Sequence, residues 1–197
     1  MEPKSILIEL PGWMREPLAL ATGIFATREG RMDFVIDLAR QNIEEGTGGP
    51  FAAAVFDMET GRLIAAGVNL VTNVGLSIAH AEIVALMQAQ SILGSFDLGA
   101  KNMPRCELVT TTAPCAMCLG AVPWSGVRAL VCGARDEDAR AAGFDEGSKR
   151  EDWTEELEAR GIEVVRDIRR SDAAAVLRDY ADGGGIVYNG RCVEQVK

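Results

Sequence analysis

The chain has one histidine, His80, in 197 residues, so any chemistry that needs imidazole must pass through that position. Aromatic side chains make up only 6% of it, with two tyrosines and three tryptophans. Basic residues are also in deficit. Twenty Lys and Arg against 29 Asp and Glu leave a net charge of −9, and the pI is near 4.7. A protein that holds nucleic acid presents clustered cations to the phosphates. The nearest cluster here is Lys149-Arg150, with Arg166, Arg169 and Arg170 further on. Acids interleave these residues, which reads as a solvated helix face. A small, uncharged or weakly charged ligand fits this balance, and a nucleic-acid partner does not. No apolar run reaches the roughly 18 residues of a membrane span. Residues 17–26 (PLALATGIFA) come nearest, and Thr and Gly interrupt them. A signal peptide is not expected, because the chain does not open with basic residues followed by an apolar stretch. Five cysteines, an odd number, argue against a disulfide framework and for metal or redox chemistry in the cytoplasm.

What is present suits a globular protein. Hydrophobic residues make up 48% of the chain and mean hydropathy is +0.06, which fits a single domain over residues 1–197. Residues 1–30 read as an N-terminal extension. Residues 183–197 read as a tail released by Gly183-Gly184-Gly185. Apolar spacing predicts helices over 31–44, 79–92, 115–122, 152–160 and 172–180. Pro123 and Gly126 are expected to end the third of these. Strands are expected at 51–56, 63–68, 106–110, 127–132 and 162–165, the first two forming a hairpin around Glu59-Thr60-Gly61. Strands alternating with helices imply an α/β protein whose sheet is mostly parallel after the hairpin.

Two short motifs carry the chemistry. His80-Ala81-Glu82 and Pro114-Cys115-Ala116-Met117-Cys118 each open a predicted helix. Cys115 and Cys118, three apart, present their sulfurs from one face of a first turn. The positive end of the helix dipole favours the thiolates that a metal needs. Two sulfurs and an imidazole are a zinc ligand set, and three protein ligands leave a fourth position for water, as catalytic sites do. Glu82 is the candidate proton carrier. Residues two apart do not share a face of an ideal helix, so the spacing by itself leaves its direction open. A Cys-x-x-Cys pair alone also fits a redox site, a structural metal site or buried thiols. It is the combination with His-x-Glu that matches the signature of zinc deaminases.

At these residues the chain resembles the cytidine-deaminase-like superfamily. TTAPCAMCLGAVPWSGVRALVCGA is similar to the branch that holds guanine deaminases and tRNA adenosine deaminases. AAGFDEG, IVYNGR and GGPFAAAVF are similar to the bacterial guanine deaminase subgroup. The resemblance implies a three-layer α/β/α sandwich around a five-stranded mixed sheet, a homodimer, a Zn2+ cofactor and a small nucleobase substrate. It implies zinc ligands His80, Cys115 and Cys118, and catalytic roles for Glu82 and for Glu146 as a second proton shuttle. It places substrate contacts at Phe51, Asn69, Ala81, Trp124, Asp145 and Tyr188, the last on a tail that reaches a neighbouring subunit. Cys106, Cys132 and Cys192 are expected to pack as small apolar residues. Three alternatives stay open at this point. They are a tRNA adenosine deaminase, a deaminase of guanosine, another aminopurine, a pterin or an aminotriazine, and a non-catalytic zinc module with Cys106 or Cys132 as fourth ligand.

Overall fold

The computed structural model describes residues 5–21, 23 and 25–189, so the expectation for Cys192 lies outside the described residues. A 3-10 turn at Gly12–Met14 leads into α1 (Arg15–Leu20) and then α2 (Arg28–Glu44). The hairpin of β1 (Ala52–Asp57) and β2 (Leu63–Val68) follows, then a single turn α3 (Val71–Val74) and α4 (Ala81–Leu93). β3 (Cys106–Thr112), α5 (Ala116–Ser125), β4 (Ala129–Ala134) and α6 (Asp136–Ala141) come next. The last elements are α7 (Trp153–Glu158), β5 (Glu163–Val165) and α8 (Arg170–Asp182).

The strands form one sheet in the order β2-β1-β3-β4-β5. β1 runs antiparallel to both β2 and β3, whereas β3-β4 and β4-β5 are parallel. Side-chain alternation along β3 and β4 sorts the core into two layers. Val109 and Val131 pack with Val35 and Ile36 of α2 and with Val176 and Leu177 of α8. Leu108 and Leu130 face the other way, with Ala85 and Leu86 of α4, Val122 of α5 and Leu157 of α7. The result is the expected α/β/α sandwich. β3 and β4 end side by side at Thr112 and Ala134, and their carboxyl ends are where open α/β sheets place ligands.

Several boundaries differ from the sequence expectation for local reasons. α2 begins at Arg28, because the Thr27 hydroxyl accepts from Gly30 N at 3.1 Å and caps it. Pro123 does not end α5 but lies within its last turn, and Gly126, at φ +81°, stops the helix. α6 (DEDARA) has almost no apolar period to read. It starts where Asp138 Oδ2 accepts from Arg135 N at 2.8 Å. Lys149 is not on a solvated helix face: its side chain is only 4% exposed.

A buried ion pair braces the amino-terminal end of the central strand β3. Arg31 Nη1 donates to Glu107 Oε1 at 2.5 Å, with the two side chains 7% and 1% exposed. Arg28 adds a second contact to Glu107 at 3.3 Å and a two-pronged pair with Glu163 at 2.7 and 2.8 Å. Among the described residues no helix is long and apolar enough to cross a membrane.

Candidate active site

His80 is the N-cap of α4 and has extended backbone, φ −70° and ψ 153°. The helical rule that separates residues two apart therefore does not apply to it, and His80 and Glu82 line the same cavity. Cys115 is likewise the extended N-cap of α5, and Cys118 is buried in the first turn that follows. Cys115 Sγ lies 3.5 Å from His80 Nδ1. The ligand atoms of His80, Cys115 and Cys118 all fall within 4.8 Å of one another. Ligands around a tetrahedral zinc stand roughly 3.6 Å apart, given its usual bond lengths, so the three side chains fit that ion. Among the described residues, neither Cys106 nor Cys132 belongs to the group. Cys106 starts β3, at the far end of the strand from Thr112, with its thiol 3.4 Å from Pro104 O. The non-catalytic module loses its fourth ligand on this count.

Electrostatics sort the titrating groups. A hydrogen bond from Cys118 holds the Cys115 thiol down at about 4, and the same contact raises Cys118. Burial holds the Glu82 carboxyl above the usual range, with the Cys115 thiolate adding to the effect. Burial likewise pushes Glu146 up to about 8, against the pull of Lys149, whose Nζ is 3.9 Å away. At His80 burial disfavours the charged ring, but the contact with Cys115 and the charge of Glu82 outweigh it, and the net direction is up. The cavity thus faces two carboxyl groups that burial biases toward the proton-carrying form.

The segment carrying Glu146 is fastened to the Cys115 turn. Ala116 N donates to Glu146 O at 2.9 Å. Lys149 Nζ donates to Pro114 O at 2.6 Å and also pairs with Asp136. Gly147 sits at φ +69°, and a Cβ there would stand 3.0 Å from Ala116 Cβ. The close approach therefore favours glycine on two counts.

Asn69, 1% exposed, is oriented by its backbone neighbours. Its Oδ1 accepts from Gly49 N at 3.4 Å and Val71 N at 3.3 Å, which leaves Nδ2 to face the cavity. Asn42 holds the same loop through Asn69 O and Gly49 O. A Cβ on Gly48 would stand 1.8 Å from Asn69 O, so only glycine fits beside it. Asn69 Nδ2 donates to Tyr188 Oη at 2.7 Å, and Tyr188 Oη stands 3.5 Å from His80 Nε2.

Phe51, Asn69, Asp145, Glu146 and Tyr188 all line the metal cavity, as do His80, Glu82 and Cys115. Two of the sequence-derived contacts do not. The Ala81 side chain is fully buried in the core beneath α4. Trp124 is 87% exposed and borders a separate concavity with Leu119, Lys149 and Trp153. Tyr188 sits on the site of its own chain. Tyr180 Oη donates to Ile186 O at 3.0 Å and turns the segment back, and Asn189 donates to Gly143 O at 3.0 Å and accepts from Asp145 N at 2.8 Å. Sequence reading missed Phe144, packed edge-on to Phe51 at 4.8 Å, and Thr112 on the same wall. The first was legible beside Asp145-Glu146, and the second only from the alternation of β3.

The cytidine and deoxycytidylate deaminase zinc-binding region matches residues 26–134, a span that contains both motifs. The chain belongs to this zinc-dependent deaminase family. Relatives narrow the likeness. The deaminase is 39% identical to the guanine deaminase of Bacillus subtilis over 111 residues, 56% of this chain and 67% of that protein. It is 48% identical to a solved guanine deaminase from Nitrosomonas europaea, with a TM-score of 0.87 over 92% of this chain and 99% of that one. A mutant of NE0047 solved in complex with 8-azaguanine gives 48% identity and a TM-score of 0.87, covering 92% and 98% of the two chains. The deaminase therefore holds zinc as its cofactor and performs hydrolytic deamination.

Proposed function

We propose that this deaminase converts guanine and water to xanthine and ammonia. The observation that carries the reading is the cavity itself, in which Glu82 and Glu146 face the zinc ligands while Asn69 presents amide donors. Those donors match the acceptor edge of an oxopurine. The neighbour crystallised with 8-azaguanine supports the same substrate class.

When bound, zinc on His80, Cys115 and Cys118 supplies Lewis acidity at an open coordination position, which makes water more acidic. Glu82 takes a proton from the attacking water as the oxygen adds to C2 of the base. It then delivers that proton to the adjacent ring nitrogen. Glu146, biased toward its neutral form, protonates the departing amine; as ammonia leaves and the C2 carbonyl forms, the Glu82 carboxylate takes the proton of the new hydroxyl, and its passage through solvent to Glu146 restores both groups. Asn69 orients the ring, and Phe51 with Phe144 walls one side of it.

With Tyr188 in place the cavity measures about 40 Å³. That admits a water or two but is far below the roughly 300 Å³ of small-molecule sites. A purine therefore displaces Tyr188 from Asn69, and the tail that carries Tyr188 then shields the bound base from solvent.

The protein acts as a cytoplasmic homodimer in this reading. Supporting it, α5 (AMCLGAVPWS) carries no charge, and Met117 and Trp124 stand exposed one above the other on its outer face. A chain of net charge −9 meets a copy of itself with least repulsion on such a face. The four described cysteines are unpaired, as a reducing compartment keeps them.

The deciding experiment is an ammonia-release screen over guanine, guanosine, adenine, cytosine, cytidine and ammeline, with an anticodon stem-loop in parallel. Guanine is expected to give the fastest release. Preference for any other substrate would overturn the reading.

A further inference from the structure

Thr112 carries the one buried side-chain oxygen or nitrogen, among the described residues, that has no hydrogen-bond partner. The residue is 4% exposed and lines the zinc cavity with Glu82, Cys115, Glu146 and Asn69. Its position follows from the pleat. It is the last residue of β3, three before Cys115, and it points to the opposite side of the sheet from Thr111. The contrast with that neighbour is informative, because Thr111 Oγ1 accepts from Ala52 N at 3.2 Å and serves the fold. Thr112 Oγ1 has no such bond within the protein. Buried polar groups are satisfied almost without exception, and an exception calls for a reason. A valine has nearly the same shape and would fill the position without the cost of a buried hydroxyl.

We propose that Thr112 is a specificity-determining residue whose hydroxyl hydrogen-bonds a polar edge of the bound nucleobase. This rests on the reading of the cavity as a nucleobase site, and it assigns a contact beyond those from Asn69 and the two carboxylates. A hydroxyl both donates and accepts, so it suits a base edge that mixes ring nitrogens with an oxo group. A site that hydrogen-bonds its substrate rejects analogues that leave its own polar group unpaired. In the absence of base, the same hydroxyl weakens the fold.

Thr112→Val and Thr112→Ser, each compared with wild type as zinc-loaded full-length protein, test the idea. For Thr112→Val, kcat/KM for guanine is expected to fall about tenfold or more, while zinc content is unchanged and Tm is unchanged or higher. Thr112→Ser is expected to stay within about threefold of wild type. A Thr112→Val protein within twofold of wild type overturns the proposal. So does a valine variant that loses zinc or Tm while serine is equally impaired, since that pattern belongs to packing. Wild-type protein without guanine turnover sinks the substrate reading instead, and the same comparison then runs on whichever base of the screen releases ammonia.

Discussion

Asn69 Nδ2 and Tyr188 Oη, 119 positions apart in the chain, meet at 2.7 Å across the mouth of the zinc cavity. The contact makes the tail part of the site, and it occupies the amide that the bound base is proposed to use. Tyr188→Phe frees that amide of a competing hydrogen bond, worth about 1 kcal/mol, so KM for guanine should fall about fivefold with kcat little changed. A chain ending at Asp182 should lose about tenfold or more in kcat, because solvent then stays in the cavity. Zinc content should be normal in both. Steady-state kinetics with metal analysis checks this, and full activity in the truncated chain would show that closure is irrelevant.

Glu82 lies beside the ligand cluster but is not part of it. Glu82→Gln should therefore retain stoichiometric zinc and lose turnover by about three orders of magnitude or more. Ammonia release and metal content, measured on one preparation, separate this from a loss of the ion. A glutamine variant with a near-normal rate would remove Glu82 from proton transfer.

The ligand set makes an equally direct prediction. Cys115→Ser and Cys118→Ser should each lose zinc and activity together, with Tm lowered because metal binding stabilises the folded chain. Cys106→Ser should retain zinc, since its thiol contacts Pro104 O at the start of β3. Zinc loss in that variant would reopen the case for a fourth protein ligand.

Glu146 gives stability a pH dependence whose sign is fixed. Its native pKa is raised to about 8 from 4.5, chiefly by burial. The folded state therefore holds the proton where the unfolded state has released it, and this group's contribution falls as pH rises from about 4.5 through 8. Two thiolates and a zinc ion sum to no net charge, so the burial effect persists in the loaded enzyme. Glu146→Gln should melt close to wild type at pH 5 and progressively above it toward pH 8.5. Guanine turnover of the variant should be reduced at every pH. Thermal melts across that range test the first part, and a stability difference that is constant with pH would refute it.

Arg31 and Glu107 are joined on the fold side of the molecule, away from the cavity. Glu107→Ala strands a buried guanidinium and should cost about 3 kcal/mol of unfolding free energy. The kcat of the remaining folded enzyme should hold near wild type. Denaturant melts beside activity per zinc resolve the two effects.

The sequence by itself determined the five strands, five of the helices and the metal ligands, because these are written locally, whereas α1, α3 and α6 carry no apolar period to read. A strand shows itself in a period of two and a helix in a period near four. A chelate of two cysteines three apart, with the only histidine opening another helix, needs no knowledge of the rest of the chain. Even the weak point of that reading, the direction of Glu82, turned on one backbone angle at His80. Tertiary structure decided what lies around the ion. Trp124 and Ala81 sit in the motifs yet turn outward or into the core, because a helix presents successive residues to different sides. Thr112, Lys149 and Tyr188 gain their places only when β3 ends beside β4, when an acidic loop folds over a buried ammonium, and when the tail turns back at Tyr180. Burial sets the proton affinity of Glu146 and leaves the hydroxyl of Thr112 unpaired, and burial is a property of the assembled fold that no spacing along the chain records.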